Sequence, residues 1–305
     1  MRDSPRRPPA SEEPDLPPNI FIVGLLHQLR AGGYTFTAWR VFWRDSWVRS
    51  LQIIQEQPEL RASWQRFALS GVTGIVLATV LALRFLSLSE SLLFLLTSLA
   101  WWAVLMTDLA LHLGLMVNLE SGELEREIGW PNRLTELRAF SSVWVAWGAH
   151  WVSAGTYLPL LVVFGAAALS DLLDGWLARR WHRPTRWGRL YDPFMDGVFF
   201  STASIALAVV DIIPDWLAVL VTVRYAFPVV GAIAFLIVRR RTPRVRHTPW
   251  GRASSAAIAL MVFGSAAATV FHLPVGVIGP ILFSAVLVTT IGAFVNILLR
   301  GIEQA

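Results

Sequence analysis

The chain has 305 residues, of which 55% are hydrophobic and only 15% charged, with 15 Trp and a formal net charge of +5. That is too much apolar surface for a soluble domain of ordinary charge content, and it indicates an all-α polytopic membrane protein. There is no cysteine and all 26 basic residues are Arg, which excludes disulfides, thiolate metal sites, cysteine nucleophiles and Schiff-base lysines.

The positive balance suits membrane lipids with anionic headgroups and phosphorylated substrates. No nucleic acid partner is expected, because the arginines flank apolar runs and do not form one soluble basic face.

Residues 1–18 hold six Pro with mixed charges and almost no apolar bulk, which reads as a disordered tail and not a cleavable signal peptide. From Ile20 to Pro58, Trp39, Phe42, Trp43 and Trp47 stand among Arg40, Arg44 and Arg49, a mixture that predicts one or two helices lying at headgroup depth. Runs long and apolar enough to span a bilayer follow near 67–87 and 92–118. Six more lie near 137–153, 155–178, 191–211, 214–238, 252–271 and 274–298. The expected organisation is therefore a tail (1–18), an extension with interfacial helices and two transmembrane helices (19–128), and a six-helix region (129–305).

Arginine placement sets the expected orientation, since basic residues concentrate in cytoplasmic loops. Arg126, Arg133 and Arg138 precede the third span, five arginines lie between 179 and 189, and six between 239 and 252. The alternate loops near Ser153, Ile213 and His272 carry none. Both termini are thus expected in the cytoplasm. Within the extension, Arg84 is close enough to a span end to snorkel, whereas Asp108 needs a partner, and His112 lies one helical turn away. A hydrogen-bonded pair at a helix contact is the expectation for those two.

The chemistry lies in Asp171, Asp174, Gly175, Ala178, Arg179, Gly188, Asp192 and Asp196, in the order Asp-x2-Asp-Gly-x2-Ala-Arg-x8-Gly-x3-Asp-x3-Asp. Asp171 and Asp174 share a helix face, as do Asp192 and Asp196. Pro193 after Asp192 predicts a helix start with Asp192 as its cap. Four carboxylates suit hard cations, Mg2+ or Mn2+, and can hold two. A structural ion-pair set with Arg179 and Arg180 would explain these charges but not their spacing.

The eight positions match the signature of the CDP-alcohol phosphatidyltransferase family without a deviation in spacing, and the resemblance covers roughly Gly129 to Arg300. It implies a six-helix bundle whose active site faces the cytoplasm. It also implies transfer of a phosphatidyl group from CDP-diacylglycerol to a polar alcohol with release of CMP, in phospholipid biosynthesis. By the same resemblance Asp171, Asp174 and Asp192 are metal ligands, and Asp196 is the base for the acceptor hydroxyl and a further metal contact. Gly175 and Ala178 are small where the nucleotide approaches, Arg179 is placed for phosphate, and Gly188 permits a sharp turn or close packing.

Pro131-Asn132-Arg133-Leu134-Thr135-Glu136-Leu137-Arg138 resembles the family's Pro-Asn-x-Leu-Thr-x-x-Arg segment, which assigns Asn132 and Thr135 to the nucleotide pocket, with helix capping as the alternative. Arg224 matches a family arginine, and Gly251-Arg252 with Ser254 and Ser255 resembles a Gly-Lys-x-x-Thr segment. Both arginines are thereby assigned to an acceptor phosphate, with glycerol 3-phosphate the first acceptor. The chain departs from the family at Gly197, where Lys is common, and at Tyr225, where an acid is frequent. A CDP-choline or CDP-ethanolamine phosphotransferase acting on diacylglycerol is the alternative within the family, and an ion or proton transporter the alternative outside it. Relatives are often homodimers, and the resemblance implies that assembly without marking an interface.

Overall fold

The computed structural model describes residues 21–119, 121–153, 185–239, 248–273 and 275–303. Helices α1 (Phe21–Ala31) and α2 (Phe36–Glu56) occupy the stretch where Trp and Arg alternate. Thr35 caps α2 by accepting the Ala38 N–H. Helix α3 (Pro58–Ala82) opens with Pro at its first position, where a missing N–H costs nothing. Helix α4 (Leu88–Leu111) opens on a capping box in which the Ser87 hydroxyl meets the Glu90 N–H and the Glu90 carboxylate returns to Ser87.

The second expected span, 92–118, runs past the helix that forms. Helix α4 stops at Leu111, a single 3-10 turn covers Leu113–Leu115, and the chain then folds back through an antiparallel bridge between Val117 and Leu124. The apolar character of this stretch has another outlet, since Leu113, Met116 and Ile128 are buried inside the protein.

The helices of the second region are α5 (Trp130–Ser153), α6 (Arg186–Val209), α7 (Asp215–Arg239), α8 (Pro249–Val270) and α9 (Val275–Glu303). The expected span at 155–178 lies outside the described residues. Five described helices are long and apolar enough to cross a membrane: Pro58–Ala82, Leu88–Leu111, Asp215–Phe235, Pro249–Val270 and Gly279–Leu299. The protein is an all-helical polytopic membrane protein. Helices α5 and α6, at 24 residues each, carry the polar positions and are less apolar.

Contacts along α5 and α6 climb together: Asn132 faces Gly188, Thr135 faces Asp192, and Arg138 faces Asp196. The two helices therefore run parallel.

Two cores hold the fold. One joins Phe94 of α4 to Val145, Phe199, Leu217, Ile258 and Val286 of α5 to α9. The other joins Leu60, Trp102, Leu109 and Met116 to Ala139 of α5 and to Trp187 and Met195 of α6. Packing thus crosses the expected boundary at residue 128. Glycines set the closest approaches, with Gly71 against the Trp102 indole and Gly292 against Trp250, where any Cβ would overlap a ring.

Candidate functional site

Helix α6 does not begin at Asp192. Thr185 is its cap, accepting the Gly188 N–H at 3.1 Å, and Pro193 lies inside the helix. Thr185-Arg186-Trp187-Gly188-Arg189 reappears as Thr248-Pro249-Trp250-Gly251-Arg252, where Thr248 likewise caps α8 through the Gly251 N–H at 2.9 Å. A Thr cap with Gly three residues on is complete without an acid. The carboxylates are thereby released for other work, about two turns inside the helix.

Asp192 and Asp196, four residues apart, turn one face of α6 toward α5. The Thr135 hydroxyl donates to Asp192 Oδ1 at 2.7 Å, and Arg138 Nη1 donates to Asp196 Oδ1 at 2.6 Å. Asp192 is exposed and the Asp196 side chain is 33% exposed, whereas the Arg138 side chain is only 6% exposed. Buried groups on α5 therefore hold open carboxylates on α6.

Below this pair, the Thr185 hydroxyl donates to Asn132 Oδ1 at 3.0 Å, and the Asn132 amide reaches Met116 Sδ at 3.3 Å. A Cβ on Gly188 would stand 2.9 Å from Asn132 Oδ1 and 3.7 Å from Asp192 Oδ2. Gly188 therefore serves close packing and not a turn. Asn132 and Thr135 bond across to α6, away from the helix-capping alternative. Asp171, Asp174, Gly175, Ala178 and Arg179 lie outside the described residues.

Arg224 and Arg252 sit elsewhere. Arg224 is buried, with Nε donating to Ser254 Oγ at 3.2 Å and Nη2 to the Gly251 carbonyl at 3.3 Å. Ser254 continues to Thr290 at 3.0 Å, so Arg224 joins α7 to α8 and α9. Arg252, next to Gly251, is exposed. The two departures from the family meet each other, because a Cβ on Gly197 would lie 3.1 Å from Tyr225 Cβ. Tyr225 in turn stacks on Phe200 with centroids 6.0 Å apart.

Three further groups belong to this region that the sequence does not mark as site residues. Arg138 is the partner of Asp196, and its spacing of three from Thr135 was the available signal. Glu136 is fully buried on α5, and neither of its carboxyl oxygens has a hydrogen-bond partner among the described residues. Tyr191 joins the expected Asp108–His112 pair: His112 Nδ1 is 3.2 Å from Asp108 Oδ1 and 2.9 Å from the Tyr191 hydroxyl. Burial works against a charged His112 ring, but the hydrogen bond and charge of Asp108 more than offset it, so its pKa is raised.

The described donor set fits a hard divalent cation. Asp192 and Asp196 supply oxygen donors only, Asp192 is open to solvent, and its Oδ2 faces the small residue Gly188. No cluster of three or more His, Cys, Asp or Glu that could hold a metal ion occurs among the described residues, and Asp171 and Asp174 lie outside them.

A family model described as CDP-alcohol phosphatidyltransferase matches residues 129–295. The chain is 31% identical over 106 residues to a probable cardiolipin synthase (CMP-forming) of Drosophila melanogaster, covering 34% of this chain and 32% of that protein. It is 38% identical over 66 residues to a cardiolipin synthase (CMP-forming) of Streptomyces coelicolor, covering 22% and 31%. It is 34% identical over 115 residues to a CDP-diacylglycerol–glycerol-3-phosphate 3-phosphatidyltransferase of Aquifex aeolicus, covering 37% and 62%. The chain thus spans about a third of the first two relatives and less than two thirds of the third. No solved structure matches it.

Proposed function

The chain belongs to the CDP-alcohol phosphatidyltransferase family, and from that premise we propose that it transfers a phosphatidyl group from CDP-diacylglycerol to a polar alcohol, glycerol 3-phosphate first, releasing CMP. The observation that carries this reading is the pairing of Thr135 with Asp192 and of Arg138 with Asp196, which presents two oriented carboxylates on one face of α6.

In this reading Asp196 accepts the proton of the acceptor hydroxyl. The freed oxygen attacks the lipid-side phosphorus, the bond from that phosphorus to the CMP oxygen breaks, and CMP leaves with the electron pair. Arg138 orients Asp196, Thr135 orients Asp192, and Asn132 with Gly188 keeps the floor of the site narrow. Arg179 is assigned to the donor phosphates, and Gly175 and Ala178 to its close approach. Asp171, Asp174, Asp192 and Asp196 would hold Mg2+ or Mn2+, and two such ions supply charge neutralisation at a pyrophosphate. Arg252, exposed beside the end of the Arg224 network, is assigned to the acceptor phosphate, with Arg224 holding that helix start in place. The site and both termini face the cytoplasm in this proposal, and the protein works as a homodimer.

A second reading, synthesis of cardiolipin, is favoured by the two relatives bearing that name. The test is release of CMP from CDP-diacylglycerol across a panel of acceptors, with and without Mg2+ or Mn2+, alongside Asp196→Asn. Dependence on glycerol 3-phosphate supports the first reading and cardiolipin as product the second. No CMP with any acceptor from folded protein overturns both.

A further inference from the structure

A cavity of about 1660 Å³ lies between the extension and the second region, walled by α2, the end of α4, α6 and Val229 of α7. Drug-sized sites occupy roughly 300–1,000 Å³, so this space suits something larger. Its α2 wall is a ladder of Trp39, Trp43 and Trp47, four residues apart, with neighbouring ring centroids at 6.4 and 6.2 Å. Trp43 and Trp47 remain 41% exposed, and Phe194 on the facing α6 wall 52% exposed.

The charges in this wall are strongly one-sided. Arg40, Arg44, Arg186 and Arg189 line the cavity, and Asp108 is the one acid among its lining residues. Asp108 is already engaged by His112 at 3.2 Å, and Arg44 by Asp45 at 2.8 Å. Arg40 and Arg189 are exposed and make no ion pair among the described residues. An occupant therefore needs long apolar chains and a negative charge near Trp39 and Leu190, each next to one of those arginines.

The cavity uses the side of α6 that carries Leu190, Tyr191, Phe194, Met195 and Val198. Asp192 and Asp196 are turned instead toward Thr135 and Arg138 on α5. An occupant here lies on the other side of α6 from Asp192 and Asp196.

We propose that this cavity binds one anionic phospholipid, with its acyl chains against the tryptophan ladder and Phe194 and its phosphate on Arg40 and Arg189. The lipid joins the extension to the helix that carries Asp192 and Asp196.

The test is native mass spectrometry of the full-length protein equilibrated in detergent with equal amounts of phosphatidylmethanol and phosphatidylcholine. Phosphatidylmethanol has an anionic phosphate and no free hydroxyl, so it cannot serve as an acceptor, and binding is read without turnover. The expected result is retention of one phosphatidylmethanol in preference to phosphatidylcholine. Arg40→Gln/Arg189→Gln should lower that retention about tenfold or more, and Val104→Trp, which fills the cavity from an exposed α4 position, should lower binding of both lipids. The charge-matched Arg30→Gln/Arg61→Gln pair, away from the cavity, should change nothing. Equal retention of the two lipids overturns the proposal, as does an equal loss in the distant pair. Unchanged retention in both Arg40→Gln/Arg189→Gln and Val104→Trp overturns it as well.

Discussion

Replacing Arg138 with Gln keeps a polar but shorter side chain and deletes the charge that meets Asp196 at 2.6 Å. A hydrogen bond to a charged group contributes roughly 1.5–3 kcal/mol, and removing one partner of a fully buried pair costs about 3–5 kcal/mol. The Arg138 side chain is 6% exposed but Asp196 is 33% exposed. Water can therefore reach the Asp196 carboxylate in the variant, and a value near 2 kcal/mol is the expectation. Carried to the transition state, this is about a 30-fold loss in kcat/KM. The assay is CMP release from CDP-diacylglycerol in mixed micelles, with circular dichroism to establish folding. The loss should fall mainly on kcat if Arg138 positions the base, and Arg138→Lys should recover only part of it, because an ammonium cannot reproduce the directed N–H of a guanidinium. A folded Arg138→Gln protein with kcat/KM within threefold of the parent would refute the reasoning.

Thr135→Val preserves shape and deletes the 2.7 Å bond to Asp192; because Asp192 is open to water, a loss of about tenfold in kcat/KM is expected, and an unchanged rate removes Thr135 from the site. Gly197→Lys should lower the unfolding midpoint by crowding Tyr225, whose Cβ would be 3.1 Å from the new Cβ. Adding Tyr225→Glu should restore part of that loss, and strict additivity in a double-mutant cycle would show that the two positions are uncoupled. Glu136→Leu replaces a buried carboxyl that has no hydrogen-bond partner among the described residues. It should leave stability unchanged or raise the unfolding midpoint, and a lowered midpoint would reveal a partner for the carboxyl.

The sequence displayed the polar site more fully than the helices bearing it. Asp192 and Asp196 were visible as a pair by spacing, and α6 does put them on one face. Pro193 misled the reading of where α6 starts, because Asp-Pro is a sound start signal but the Thr185 cap and Gly188 supply a better one two turns earlier. The repeated Thr-x-Trp-Gly-Arg was open to view, and with its twin at 248–252 would have located both helix starts. Hydropathy alone extended the second span to residue 118, since an apolar side chain buried by protein and one facing lipid look alike in a window average. In the sequence Arg138 reads as a topology signal and as the end of the Pro131–Arg138 segment, and only its register on α5 against Asp196 reveals its partner. The contact between Gly197 and Tyr225 depends on how α6 packs against α7, and no local pattern encodes it.

Trp187, one turn before Tyr191 and completely enclosed, belongs to a core built largely of side chains made earlier in synthesis, those of the extension. An order of assembly follows. The first two hydrophobic hairpin helices leave the ribosome before either Asp pair, and they present the wall against which the start of α6 is later fitted. A chain begun at residue 129 would retain every signature residue yet meet the bilayer with that wall missing, and its failure would be one of biogenesis and not of chemistry.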